Sequence, residues 1–364
     1  MLYLLGLLEE QFGPLRLFEY VTFRAGGAAF TSFLLVVFLG GFTARRLRKL
    51  NAQAADRYQG LFPQELIDKE KARTPCMGGV LVIGATLISA LLWNVMSNPI
   101  AIAMTISTFC FALIGFYDDY RKVVYKDRDG IPARLKLLLQ FVVAGGVLAY
   151  LGTRPVIGPL LQEFMVPMMK KPLFTCGWFT FPFAALVIVG VSNAVNLTDG
   201  KDGLASGCTI ICTLTYAVFA YVMGHRIFAE HLNVPYLAGA GEAMVFSAAV
   251  CGACFGFLWH NCHPASMFMG DTGSLALGGA IGLLAVLVRQ ELLLVLVGTI
   301  FLMEIGSVMI QVASFRTTGR RVFLCTPIHH HFERLGWTET QIVVRFWIIA
   351  GVCALLALAT LKLR

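Results

Sequence analysis

The chain has 364 residues, 57% of them hydrophobic and 14% charged. Soluble domains carry about a quarter charged residues, so this composition belongs to the membrane class and excludes an ordinary soluble globule. The net charge of +8 does not point to nucleic acid, because Lys and Arg gather in a few short loops, the pattern that orients a multispanning protein. Ten spans are predicted in chain order, at 22–44, 77–97, 99–117, 136–152, 180–197, 203–223, 241–259, 272–289, 291–313 and 340–361. Most approach the ~20 residues that cross ~30 Å of hydrocarbon. With no barrel-like alternation, an all-α polytopic membrane protein is expected, since backbone groups in lipid have no other partners.

Arg45, Arg46, Arg48 and Lys49 follow the first span, with Arg57, Lys69, Lys71 and Arg73 behind them. Arg121, Lys122, Lys126, Arg128, Arg134 and Lys136 follow the third, and Arg316, Arg320, Arg321 and Arg334 the ninth. Alternating spans put these loops on one side, which is then cytoplasmic, with both termini periplasmic. The N-terminus is amphipathic and lacks the basic start and cleavage site of a signal peptide. On the outer face, 152–180 is expected to hold an amphipathic or hairpin element.

No repeat or second domain is visible, so 1–364 is expected to form a single integral membrane unit. Ten Cys lie mostly in apolar segments. Cys251 and Cys254 are expected to be small packing residues rather than a redox or zinc pair. Gly252 and Gly256, like Gly278 and Gly282, permit close helix approach, either within one bundle or in a homodimer.

Four polar clusters fall on the predicted cytoplasmic side. Asp118 and Asp119 end the third span. Asn193, Asn196, Asp199 and Asp202 lie in NAVNLTDGKDGLA. Asn261 and Asp271 lie in NCHPASMFMGDTGS, and His329, His330 and His331 in PIHHHFE. Adjacent Asp residues point roughly 100° apart on a helix, so one can act on a ligand while its neighbour positions a partner. A solvated helix end, with Asp paired to Arg121 or Lys122, is the plainer alternative. Asp199 and Asp202 suit a turn at a helix start that holds a nucleoside or Mg²⁺. Oxygen donors dominate, which favours Mg²⁺ over zinc; His260 and His263 around Cys262 make a weak zinc mimic. Three consecutive His cannot share a helical face, so a loop is expected, letting two meet a phosphate or sugar. Arg316, Arg320 and Arg321 suit a polyanion or lipid headgroups. With no GxxxxGK[ST] loop, the set points to phosphoryl transfer at a membrane surface.

TPCMGG at 74–79, GFYDDYRK at 115–122, NAVNLTDGKDGLA at 193–205, NCHPASMFMGDTGSLALGG at 261–279 and PIHHHFE at 327–333 resemble, in order, the phospho-N-acetylmuramoyl-pentapeptide-transferases. The resemblance spans the whole chain. It implies transfer of phospho-MurNAc-pentapeptide from UDP-MurNAc-pentapeptide to undecaprenyl phosphate in the bacterial inner membrane, giving lipid I and UMP, with Mg²⁺. It also implies roles: Asp271 and Asn196 at the metal; Asp118 and Asp119 near it and the lipid phosphate; Asp199, Asp202, Asn261 and Phe268 lining the uridine and diphosphate pocket. Lys71, Asn193, Gln311 and His329 to His331 would help hold the nucleotide sugar. Two positions depart from the family's pattern: Arg73-Thr74-Pro75-Cys76 stands for GTPT, and Lys201 for an apolar residue.

Two mechanisms stay open: attack by Asp118 or Asp119 through a covalent intermediate, or direct attack by the already ionised lipid phosphate. The rival functions are a transferase using UDP-N-acetylglucosamine, a secondary transporter and a membrane scaffold.

Overall fold

The computed structural model describes residues 1–50, 74–127, 129–169, 172–175 and 177–363. Its main helices are α1 (Val21–Lys49), α2 (Gly79–Trp93), α3 (Pro99–Val124), α4 (Ala133–Gly152), α5 (Ile157–Leu161), α6 (Thr180–Thr198) and α7 (Leu204–Gly224). They continue as α8 (Arg226–His231), α9 (Gly241–Asn261), α10 (Asp271–Leu287), α11 (Leu294–Val297), α12 (Thr299–Thr318), α13 (Ile328–Arg334) and α14 (Glu339–Ala359). The protein is an all-α polytopic membrane protein, and each predicted span has a helical counterpart. Eight of these helices are long and apolar enough to cross a bilayer, while α2 and α10 are shorter.

Every residue of α10 is buried, so this helix needs no lipid-matching length. It packs on α6, α3 and α2, and glycine makes the approach possible. A Cβ at Gly278 would lie 2.6 Å from the Ser192 Cα, and one at Gly282 2.7 Å from the Ile188 Cα. Gly252 and Gly256 press in the same way on the backbone of α1 at Ala29 and Phe33. Both glycine pairs therefore serve contacts within the bundle. Cys251 and Cys254 are buried in α9 among apolar neighbours.

The helix ends depart from the polarity boundaries. α1, α3 and α12 run past the apolar stretch as far as Lys49, Val124 and Thr318, because a helix satisfies its backbone in water as well as in lipid. α12 starts later than predicted: Arg289 has φ 55 and Gly298 interrupts the helix between α11 and α12. Between α4 and α6, β1 (Glu163–Phe164) pairs antiparallel with β2 (Phe174–Thr175), next to α5. The expected amphipathic or hairpin element is thus a short helix followed by a hairpin.

At one end of the bundle, the buried Arg24 guanidinium donates to both Glu242 oxygens, at 3.0 and 2.7 Å. Asn94 and the Val95 N–H also donate to that carboxylate. This network ties α1, α2 and α9 together far from the four polar clusters.

Candidate active site

The opposite end of the bundle gathers the polar residues. α3 and α10 touch there because Gly115 has no side chain; a Cβ would press on the Asp271 backbone and lie 2.7 Å from the Thr272 Cα. The next turn of α3 places Asp118 and Asp119 at the start of α10, both almost fully buried.

Their roles divide. Asp119 accepts from the backbone N–H of Asp271 at 3.1 Å, that of Thr272 at 2.9 Å and the Thr272 hydroxyl at 2.7 Å. It therefore caps α10 from another helix and faces the positive end of its dipole. Gly270, with φ 77, lets the chain turn under this carboxylate; a Cβ would come within 2.8 Å of it. The TPCMGG segment closes the same turn: Phe268 N–H donates to Pro75 O, Gly78 N–H to Phe268 O and Gly79 N–H to Met269 O, each at 2.8 Å.

Asp118 faces a cluster of charges. One oxygen accepts from the Ile131 N–H at 2.7 Å. The other meets the ammonium of Lys122 at 2.6 Å and that of Lys136 at 3.4 Å. Both ammoniums also lie 2.9 Å from Oδ2 of Asp271, and Asp271 Oδ1 accepts from the Asn196 amide at 3.0 Å. Asn196 donates further to the Ser274 hydroxyl at 2.8 Å. Two buried carboxylates are thus compensated by two lysines, as desolvated charge requires.

The lysines show that the space between Asp118 and Asp271 accommodates positive charge. With its NH₂ turned to Asp271 and Ser274, Asn196 keeps its carbonyl oxygen for another partner. Two carboxylates, joined by the Asn196 oxygen once its amide turns, would form a hard, all-oxygen donor set, which fits Mg²⁺.

A second group adjoins the first through the turn after α6. Asp199 ends that helix, half-buried. Asp202 accepts from His263 Nδ1 at 2.9 Å and the Ala265 N–H at 3.2 Å. Its own N–H donates to Glu339 at the start of α14. Asp202, His263 and Glu339 bring ligand atoms within 4.8 Å of one another. His260 does not join them, because its Nε2 faces Val37 O. Asn261 locks this turn to the α9–α10 loop: its oxygen accepts from the Gly203 N–H at 3.0 Å and its amide donates to Met267 O at 2.9 Å. Phe268 is half-buried in that loop. Asn193, one turn before Asn196, donates to Gln140 of α4 and to Val189 O.

The three histidines lie on α13, a short helix rather than the expected loop. The helix spreads their rings to different partners. His329 is buried, its Nδ1 3.0 Å from the buried Glu304 of α12, and a Cβ at Gly200 would come 2.5 Å from its Nε2. The His330 ring lies against it, tilted by 52° with centroids 4.2 Å apart, and bonds Glu333 through Nδ1 at 2.9 Å. His331 accepts from the Leu324 N–H. Gln311 holds the same loop, accepting from the N–H groups of Val322 and Phe323. Beside it opens a cleft of about 490 Å³, with Phe315, Leu324, Arg316 and Arg321 in its lining. Lys71 lies outside the described residues.

The four clusters therefore meet. Sequence reasoning missed Lys136 as a site residue, and treated Lys122 only as a loop cation and a plain partner for Asp; its i,i+4 spacing from Asp118 was the available signal. Glu304 also went unremarked, although an acid inside an apolar helix is itself a signal.

Residues 101–289 match the family model described as Glycosyl transferase family 4. A protein of Methylacidiphilum infernorum, named phospho-N-acetylmuramoyl-pentapeptide-transferase, is 46% identical over 366 residues, covering all of both chains. One of the same name from Desulfotalea psychrophila is 45% identical, covering 100% of this chain and 99% of its own. A third, from Neisseria meningitidis, is 46% identical over 96% of each chain. Motif order, full-length identity and family match agree: this chain belongs to the phospho-N-acetylmuramoyl-pentapeptide-transferase family.

Proposed function

We propose that the protein transfers phospho-MurNAc-pentapeptide from its UDP-linked donor to undecaprenyl phosphate, releasing UMP and forming lipid I for peptidoglycan synthesis. The site faces the cytoplasm of the bacterial inner membrane, and both termini face outward. The observation that carries the chemistry is the Asp118–Lys122–Lys136–Asp271 cluster at the membrane end of α3 and α10. Cations beside acidic metal ligands are what a diphosphate donor needs. The names of the full-length relatives favour the muramoyl donor over UDP-N-acetylglucosamine.

Asp271, Asn196 and Asp118 would hold Mg²⁺, which when bound would polarise the diphosphate oxygens. Lys122 and Lys136 then turn from the carboxylates to the substrate phosphates and absorb the charge that develops during transfer. Asp199, Asp202, Asn261 and Phe268 would bind the nucleotide, with Gln311 and the α13 histidines on the sugar side; Lys71 is assigned to the donor by the family resemblance alone.

Asp119 is a poor nucleophile in this arrangement, because both its oxygens serve the start of α10. Asp118 is held by the Ile131 N–H and two ammoniums, which stabilise its charge and blunt its attack. The lipid phosphate is already anionic, so direct in-line attack is the favoured route, with Asp118 orienting the lysines. Such a displacement inverts configuration at the transferred phosphorus; retention would instead support a covalent intermediate.

The test is UMP release by purified protein given UDP-MurNAc-pentapeptide, undecaprenyl phosphate and Mg²⁺, beside Asp271→Asn. Release that needs lipid and metal and collapses in the variant supports the reaction and the site. Release from UDP-N-acetylglucosamine alone would overturn the choice of donor.

A further inference from the structure

Lys201 sits between Asp199 and Asp202, where the family pattern has an apolar residue. Its side chain is only 6% exposed, and its ammonium lies 2.6 Å from Oε1 of Glu333. The other Glu333 oxygen is 2.9 Å from His330 Nδ1. One carboxylate thus joins a buried amine of the α6–α7 turn to the middle histidine of α13, which are 129 residues apart in sequence (330 minus 201). A buried ammonium is tolerated only with such a partner. An apolar residue here would instead leave α13 to be held by its packing and by the pair between His329 and Glu304.

We propose that Lys201 is a positioning residue that, through Glu333, seats α13 on the α6–α7 turn and fixes the His330 ring for contact with the donor. This rests on the proposed function, because it takes His330 to meet the nucleotide sugar. The bond to Glu333 sets the neutral tautomer, with the proton on Nδ1 and the lone pair on Nε2. Among the described residues, the charged and titratable groups around the ring include His329 and Glu333 on its own helix, Lys201 from the turn, and Glu304 of α12 behind His329. Burial, His329 and Lys201 all lower the affinity of His330 for a second proton, against the pull of Glu333.

The experiment compares the parent protein with Lys201→Met and Lys201→Arg in nanodiscs. Three quantities are measured: the donor KM and kcat across pH, and the NMR titration midpoint of the His330 ring, assigned through His330→Gln. Lys201→Met is expected to raise donor KM roughly three- to fivefold with kcat little changed, the scale of a half-exposed ion pair. It also moves the His330 midpoint and the acid limb of activity to higher pH, and Lys201→Arg restores both. An unchanged His330 midpoint and donor KM in folded Lys201→Met would overturn the proposal. Should Lys201→Met fail to fold, Glu333→Gln is the second variant: a changed donor KM and His330 midpoint supports the coupling, and unchanged values overturn it. Absence of UMP release by the parent would defeat the proposed function, while the NMR midpoint would still judge the Lys201–His330 coupling.

Discussion

The Asp119 carboxylate accepts the Asp271 backbone N–H at 3.1 Å, so one of the two adjacent acids of α3 holds in place the helix that carries the other acid's partner. Asp118 and Asp271 share the two lysines, and Asp119 sets their separation. Asp119→Asn keeps the shape but replaces an acceptor oxygen with a donor amide opposite N–H groups. Hydrogen bonds to a charged acceptor contribute about 1.5–3 kcal/mol. The expected outcome is a roughly 10- to 100-fold loss of kcat with a lower Tm, checked by UMP release and thermal unfolding of the same preparation.

Lys122 occupies the space in which Asp118 and Asp271 would meet a divalent cation. In Lys122→Met the two carboxylates lose a competing positive charge, so Mg²⁺ should raise the Tm more than it does in the parent. Transfer should fall roughly 10- to 100-fold, because a cation that stabilises the transition state is missing. Thermal shift against Mg²⁺ concentration measures the first effect and UMP release the second. Equal Mg²⁺ stabilisation of variant and parent would place the metal away from these acids.

The Gly115 contact sets how closely α3 approaches α10. Gly115→Ala would put a methyl group against the Asp271 and Thr272 backbone, and the helices must part to admit it. Activity should drop at least roughly tenfold while the helical signal in circular dichroism is retained.

The His330–Glu333 pair makes stability depend on pH. Burial lowers His330 below its ordinary 6.5, so below that pH the unfolded chain takes up a proton that the folded one resists, and stability falls. The hydrogen bond from His330, with Lys201 behind it, brings Glu333 from 4.5 down to about 2. Its contribution is fully present above pH 4.5 and is lost as pH falls towards about 2. Tm measured from pH 7.5 downward should decline in two stages, and Glu333→Gln should remove the lower one.

Arg24 and Glu242 are buried together at the other end of the bundle. Removing one partner strands a charge away from water, so Arg24→Met should destabilise by about 3 kcal/mol. The kcat of the folded fraction should stay near that of the parent, since the pair touches nothing near Asp271. Unfolding in denaturant and activity per folded molecule separate the two effects.

The amino-acid sequence by itself determined the membrane class, the order of the helices and the polar clusters that gather at one end of the bundle. Apolar runs declare a membrane helix through local composition alone, and buried acids are conspicuous in a chain that is 14% charged. Only the tertiary structure decided what those residues do to one another. Asp118 and Asp119 look equivalent side by side, yet packing at Gly115 directs one to the lysines and the other to the start of α10. Lys136 reads as a loop cation until α4 brings it to Asp271, 135 residues away. The histidines read as a loop because their three rings cannot share a face, yet a short helix suits them when each ring finds its own partner in Glu304, Glu333 or the Leu324 N–H. Polarity is a property of each residue, but pairing across the bundle depends on how closely the helices approach, and that distance is set by packing.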